Sequence, residues 1–267
     1  MNMRFNTYGN RSNPIIIMLT SSFCSADSLS YLYDELTNDY YIIVPEYNGH
    51  YEGSEDFTTS QQEAKEIVSY LRENGIGDIC LIYGQAMGAE IGMVLIAQCL
   101  KQHITIESAF FDGGTFLKQP KLYKAIMNFK HKSMMNKMKN QSVDEVVNWK
   151  SVDQFTKDDT QTMRPVIESM VKTAPVITDS SIKNETEARY TFNFPYLPDE
   201  MQENIFFVYA SDEKNFKSCF KHLIEAYPSA NFKTLRGEGH LTYSVRKTDD
   251  YLRVIRAICN RNNDDED

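Results

Sequence analysis

Hydrophobic positions between Ile79 and Tyr83 form an unbroken run that Gly84 interrupts, and from Met87 onward Ile91, Val94, Leu95 and Cys99 recur at helical spacing. The pattern predicts a short buried strand, a sharp turn and a helix. Residues 14–19, with the β-branched run Ile15-Ile16-Ile17, and residues 40–44 have the compact apolar character of strands buried on both faces of a parallel sheet. Between them Leu29, Leu32, Tyr33 and Leu36 share a helix face, with Asp27 or Ser28 placed to cap it. Ala64, Ile67, Val68 and Leu71 predict an amphipathic helix over residues 61–72, stopped by Asn74-Gly75. Residues 104–111 predict a further strand that closes on Asp112-Gly113-Gly114. Such alternation builds an α/β protein with a doubly wound, mostly parallel sheet and functional loops at the carboxyl ends of its strands.

From residue 115 to 198 the pattern changes and helical stripes follow one another. Leu122, Ile126 and Phe129 form one that continues into Met134, Met135 and Met138. Ser142 to Glu145 has the form of a capping box ahead of Val146, Val147 and Trp149, and Met163, Val166, Ile167, Met170 and Val171 form a third stripe. The sheet pattern then resumes with strands at 205–209 and 232–235 around a helix at 216–226, and Tyr251, Val254, Ile255 and Ile258 close the chain on a helix. The expected organisation is one core, residues 1–114 and 199–267, interrupted by a helical cap at 115–198. The cap methionines are read one by one as helix packing, although together they would suit the lining of an apolar pocket.

Bulk properties narrow the function. The 267 residues carry 42% apolar and 24% charged side chains, ordinary for a globular protein, and a formal charge of −9 that argues against a nucleic-acid surface. The lysines at 130–139 read as a solvated helix face. The polar first ten residues offer no secretory signal and no run approaches a membrane span, which gives a cytoplasmic expectation. Five irregularly spaced cysteines give neither a disulfide framework nor a zinc pattern and read as reduced core residues. The acidic end, 260–267, is expected to fray. No metal or organic cofactor is implied.

The candidate chemistry lies where strands end. Gly84-Gln85-Ala86-Met87-Gly88 has the G-x-x-x-G frame of a nucleophile elbow, a strand-to-helix turn that thrusts its middle side chain out, yet that residue is Ala86. A later strand ends in Tyr209-Ala210-Ser211-Asp212, and His240 follows in Gly237-Glu238-Gly239-His240. Nucleophile, acid, base is the order that acyl transfer by a serine, a histidine and a carboxylate takes on one kind of α/β sheet. Asp212 also suits a helix N-cap, and Asp112, at another strand end, is the alternative acid. His50 reads as structural in its turn, and His103, His131 and His222 as surface residues.

With residues 14–26, Val44 to His50, the elbow, and the Asp212 and His240 loops in order, the chain resembles capped α/β-hydrolases of the esterase, monoacylglycerol-lipase and aminopeptidase type over nearly its whole length. The resemblance implies a serine hydrolase acting on a small to medium ester or amide through an acyl-enzyme, without cofactor. Position 86 would be the nucleophile, Asp212 the acid and His240 the base. The oxyanion donors would be the N–H of Met87 and that of Ser22 or Phe23. The chain has Thr20-Ser21 where such enzymes commonly have His-Gly. Ala86 implies an enzyme inactivated by replacement of its serine; the alternative is a natural, non-catalytic ligand-binding protein. Cap glutamates such as Glu168, Glu185 and Glu187 leave a free-amine site open.

Overall fold

The computed structural model describes residues 3–152, 161–213 and 215–261. Seven strands form one sheet: β1 (Arg4–Tyr8), β2 (Ile15–Leu19), β3 (Tyr41–Glu46), β4 (Asp78–Gln85), β5 (Thr105–Asp112), β6 (Ile205–Ala210) and β7 (Asn231–Leu235), in the order β1-β3-β2-β4-β5-β6-β7. All neighbours run parallel except β1, which pairs antiparallel with β3. Six strands fall where the apolar runs predict them. β1 does not announce itself, because an edge strand paired on one side needs little apolar surface: its residues are exposed or half-buried, with Phe5 stacked on Tyr70.

Strand alternation sends successive side chains to opposite faces, so the sheet carries two cores. Ile17 and Leu19 of β2 join Ile82, Ile91 and Leu95 beneath α2 (Ser60–Glu73) and α3 (Met87–Lys101). Ile16 and Met18 face the other way, with Leu81, Leu252 and Ile255, toward the closing helix, Thr248–Asn260. The helix expected over 29–36 is shorter than its pattern: a 3-10 turn (Ala26–Leu29) runs into the single-turn α1 (Ser30–Tyr33). Neither Asp27 nor Ser28 caps it. The cap position is Ser25, and Asp27 pairs with Lys172 instead. All five cysteines are buried and free. The acidic tail lies outside the described residues from 262 onward.

Between β5 and β6 the described chain holds α4 (Lys121–Met138), α5 (Val143–Val147), α6 (Arg164–Thr173) and α7 (Asp179–Arg189). The capping box at α5 is present with both of its hydrogen bonds. The buried Glu90 of α3 ties the start of the insertion to the core by accepting the N–H of Thr115 at 2.9 Å, and within the insertion Gln119 donates its N–H to the Tyr190 carbonyl at 2.9 Å, joining its first and last parts. A third core forms here from Met135, Met138, Val146, Val166, Ile167 and Ile182, and it reaches down to Phe23 and Leu241. The methionines of this core are therefore packing residues. Leu122 and Phe129, each 74% exposed, point outward, because α4 packs through Tyr123, His131 and its last turn instead. His131 is thus buried, against the expected surface position. No helix among the described residues is long and apolar enough to cross a membrane.

The register gathers the strand ends. Leu19 pairs with Gly84, Gln85 with Asp112, Asp112 with Val208, and Ala210 with Leu235. At the centre, α3 starts directly under the end of β2. A Cβ on Gly88 would lie 2.7 Å from the Thr20 carbonyl oxygen and nearer still to that of Leu19, and one on Gly84 would lie 2.5 Å from the Gly88 carbonyl oxygen. Gly88→Ala is expected to lower the unfolding free energy by at least about 2 kcal/mol, since only backbone can give way. Gly77→Ala, with nothing within 4 Å of its Cβ, should shift it by less than about 1 kcal/mol. Denaturant unfolding of the two variants checks the difference.

Candidate active site

Ala86 sits between β4 and α3 with φ 49° and ψ −113°, a left-handed conformation that an L-residue holds only when its surroundings impose it. Its N–H donates to the Asp112 carbonyl at 2.8 Å, fixing the turn to the end of β5. Met87, directly after Ala86, is the first residue of α3, so its N–H is one of the helix donors with no intrahelical acceptor. Ala86 is 4% exposed.

His240 lies over the same strand end. A Cβ on Gly113 would be 2.5 Å from His240 Cε1 and 2.7 Å from Nδ1, so the imidazole occupies the space that a side chain there would fill. Gly113 is one residue beyond the carbonyl that holds Ala86. His240 Nδ1 is 2.9 Å from Glu213 Oε2, and Glu213 Oε1 accepts the Ala210 N–H at 2.9 Å. The carboxylate is therefore held at both oxygens. It is the neighbour of the expected acid: Asp212 is exposed, and its Oδ1 accepts from the Ser211 hydroxyl at 2.7 Å. Asp212 is not the cap of the following helix, Phe216–Ala226, either; that position is Asn215. The turn after β6 explains the choice. The N–H of Asp212 bonds the Glu238 carbonyl and that of Glu213 folds back to Ala210, which swings side chain 212 outward and side chain 213 inward.

Asp112 lies below, fully buried, with Oδ2 accepting from the Tyr251 hydroxyl at 2.7 Å. Burial, then the charge of Glu213, pushes its carboxyl up to about 7. A polar floor continues from it: Tyr83 donates to Tyr251, and the Gln85 amide donates to the Tyr83 and Tyr31 hydroxyls at 2.7 Å each. Asp112 is tied to this floor, whereas Glu213 is the carboxylate on His240.

The loop after β2 makes the remaining wall. The Phe23 N–H, one of the two expected loop donors, is taken by Glu185 Oε2 at 3.1 Å, and Phe23 has φ 62°. The Ser22 N–H has no acceptor among the described residues. The hydroxyls of Ser21 and Ser22 are likewise buried without a partner there. Glu185 also bonds His50, which is buried at the turn where the sequence placed it as a structural residue. Of the other cap glutamates, Glu168 pairs with Arg164 and Glu187 with Lys124. His103 and His222 are on the surface as expected. Among the described residues no group of three or more His, Cys, Asp or Glu could hold a metal ion.

Solved structures share this architecture over nearly the whole chain. An α/β hydrolase family protein from Desulfitobacterium hafniense superposes with a TM-score of 0.74 at 14% identity, covering 96% of this chain and 99% of that one. A structure from work on the carboxylesterases of Nitrososphaera gargenis gives 0.71 at 17% identity, with 97% and 96% covered. The enol-lactonase from Burkholderia xenovorans gives 0.67 at 14%, with 96% and 95% covered. No protein-family model and no curated protein matches the sequence. The chain has the α/β-hydrolase fold.

The buried floor yields a prediction. The Asp112 pKa is higher folded than unfolded, so its contribution to stability is full below about pH 4 and is lost as pH rises toward about 7. Asp112→Asn keeps an acceptor for Tyr251 and cannot ionise. The stability lost between about pH 5 and pH 8 should be smaller in the variant by at least about 1 kcal/mol, read by urea denaturation at both values.

Proposed function

We propose that this site is that of a serine hydrolase for small to medium esters or amides, with alanine standing at the nucleophile position. The observation that carries this reading is Ala86 itself: a strained, left-handed residue at the strand-to-helix turn, at the strand end over which lies a histidine whose Nδ1 is held by a partly buried carboxylate. With serine at position 86, its Oγ would attack the carbonyl carbon while His240 Nε2 accepts the hydroxyl proton. Glu213, on the opposite nitrogen, would fix the tautomer and stabilise the imidazolium. The Met87 and Ser22 N–H groups would receive the oxyanion, because the Phe23 N–H is already committed to Glu185. His240 would then return the proton to the leaving alcohol or amine, and water activated by the same nitrogen would release the acid.

With a methyl group at position 86 no acyl-enzyme forms, and the chain holds its ligand uncleaved. A second reading, a binding protein for which this is the natural task, draws on the unpartnered Ser21 and Ser22 hydroxyls, which suit a carbonyl or carboxylate ligand. The paired cap glutamates count against a free-amine site.

Ala86→Ser is expected to become labelled by a fluorophosphonate and to gain about a thousandfold or more in turnover of short-chain nitrophenyl esters. A folded variant that shows neither would turn the choice to the binding protein. In the serine background, Glu213→Ala should cut kcat by about 10³-fold or more, and Asp212→Ala by less than about threefold. The reverse ranking would move the acid back to Asp212.

A further inference from the structure

We propose that Glu185, on cap helix α7, is a positioning residue for the oxyanion loop: with His50 it pins the turn at Ser21 to Cys24, so the loop donor stands in place only while the cap is docked. The proposal rests on the hydrolase reading of the same site.

Two bonds from this pair reach the loop. Glu185 Oε2 accepts the Phe23 N–H at 3.1 Å, and His50 Nδ1 donates to the Cys24 carbonyl at 2.8 Å. Glu185 Oε1 and His50 Nε2 meet at 2.7 Å with both side chains 0% exposed. The proton count follows from the acceptors. A carbonyl only accepts, so Nδ1 carries a proton, and the Nε2 contact needs one more proton shared with the carboxylate. Phe23 is gripped from its other end as well: its ring meets the edge of His131 at 5.3 Å, and His131 Nδ1 is 2.8 Å from the hydroxyl of Thr186, the neighbour of Glu185 on α7.

The loop's flanks are tied by the Tyr47 hydroxyl to the Thr20 carbonyl at 3.4 Å and by Ser25 to Ser169, and the Phe23 and Cys24 side chains are buried, but the turn between them is held by few backbone bonds among the described residues. Its own turn closes through a long Cys24 N–H to Ser21 carbonyl bond of 3.3 Å and a Thr20 hydroxyl contact of 3.4 Å. Phe23 is in the left-handed region, and the Ser21 and Ser22 hydroxyls brace nothing among the described residues. Removing the Glu185 carboxylate therefore frees the backbone on which the Ser22 N–H depends. A buried pair serving only to anchor the cap would have no need to spend one carboxylate oxygen on this particular amide.

The test compares Glu185→Ala and Glu185→Gln in the Ala86→Ser protein. Glutamine preserves the geometry without the charge, since its Oε1 accepts from Phe23 and its Nε2 donates to a neutral His50. Because a misplaced donor acts on the transition state, Glu185→Ala should lower kcat by about 10- to 100-fold with KM within about twofold, and Glu185→Gln should keep kcat within about threefold. Unchanged kcat in folded Glu185→Ala, or an equal loss in both variants, overturns the proposal. A second arm uses the Ala86 chain, so that failure of the hydrolase reading does not hide the answer. There Glu185→Asp, which retracts the carboxylate by one methylene, should speed amide exchange across residues 20–26 by about tenfold while exchange in α2 and α3 stays unchanged. Equal protection of the loop in both proteins also overturns it.

Discussion

The site depends on one steric constraint, the close passage of the first turn of α3 beneath the end of β2. With the Leu19 and Thr20 carbonyls lying where a side chain at Gly88 would be, and the Gly88 carbonyl lying where one at Gly84 would be, the backbone between them has few conformations left. Residue 86 takes the left-handed one. Everything else is arranged around that point: the Asp112 carbonyl anchors its N–H, Gly113 leaves room for the His240 ring, and the helix N-terminus supplies a donor directly after it. Helix α7 of the insertion adds the Glu185 bond to the facing loop.

How much of this is legible in the sequence follows from how local each signal is. The five inner strands are buried and write themselves as apolar runs, and edge strand β7 is visible as a short half-buried one, whereas edge strand β1, Arg4 to Tyr8, carries too few apolar residues to be seen. The elbow is visible because both glycines and the strand-helix switch lie within a few residues. The carboxylate that contacts His240 is legible only to within one position. Asp212 and Glu213 are both carboxylates at the end of β6, and what separates them is the hydrogen bonding of a non-repetitive turn, where periodicity says nothing about side-chain direction. His50 and Glu185 lie 135 residues apart, so their partnership has no local signature. The nearest clue is composition: a glutamate on a helix with apolar neighbours at helical spacing, which Ile182 and the fully buried Glu185 of α7 turn out to be.

Burial of carboxyl groups is a recurring feature of the sheet's upper end. Glu63 beside Asn48, Glu90 beneath Thr115 and Asp112 on Tyr251 are each pushed up to about 7, desolvation leading in all three. Each accepts hydrogen bonds that organise a loop or the floor beneath one: Glu63 the turn at Asn48, Glu90 the entry to the insertion, Asp112 the platform under His240. Side-chain carboxyls thus replace regular backbone pairing where strands give way to loops. Neighbouring backbone N–H groups and hydroxyls offset part of the desolvation cost. Glu213 differs, being only partly buried and paired with His240.

The alanine at position 86 is best weighed by asking what the backbone would do without it. The left-handed angle is imposed from outside, by the crossing of β2, β4 and α3, and not by any interaction of the methyl group. A serine there could keep the same φ and ψ, since it adds one oxygen to the same Cβ. Converting one residue into the other therefore asks nothing of the fold. The strain at this turn belongs to the frame whether or not it is used for catalysis. On the proposed reading, the single oxygen would decide only the chemistry and not the fold.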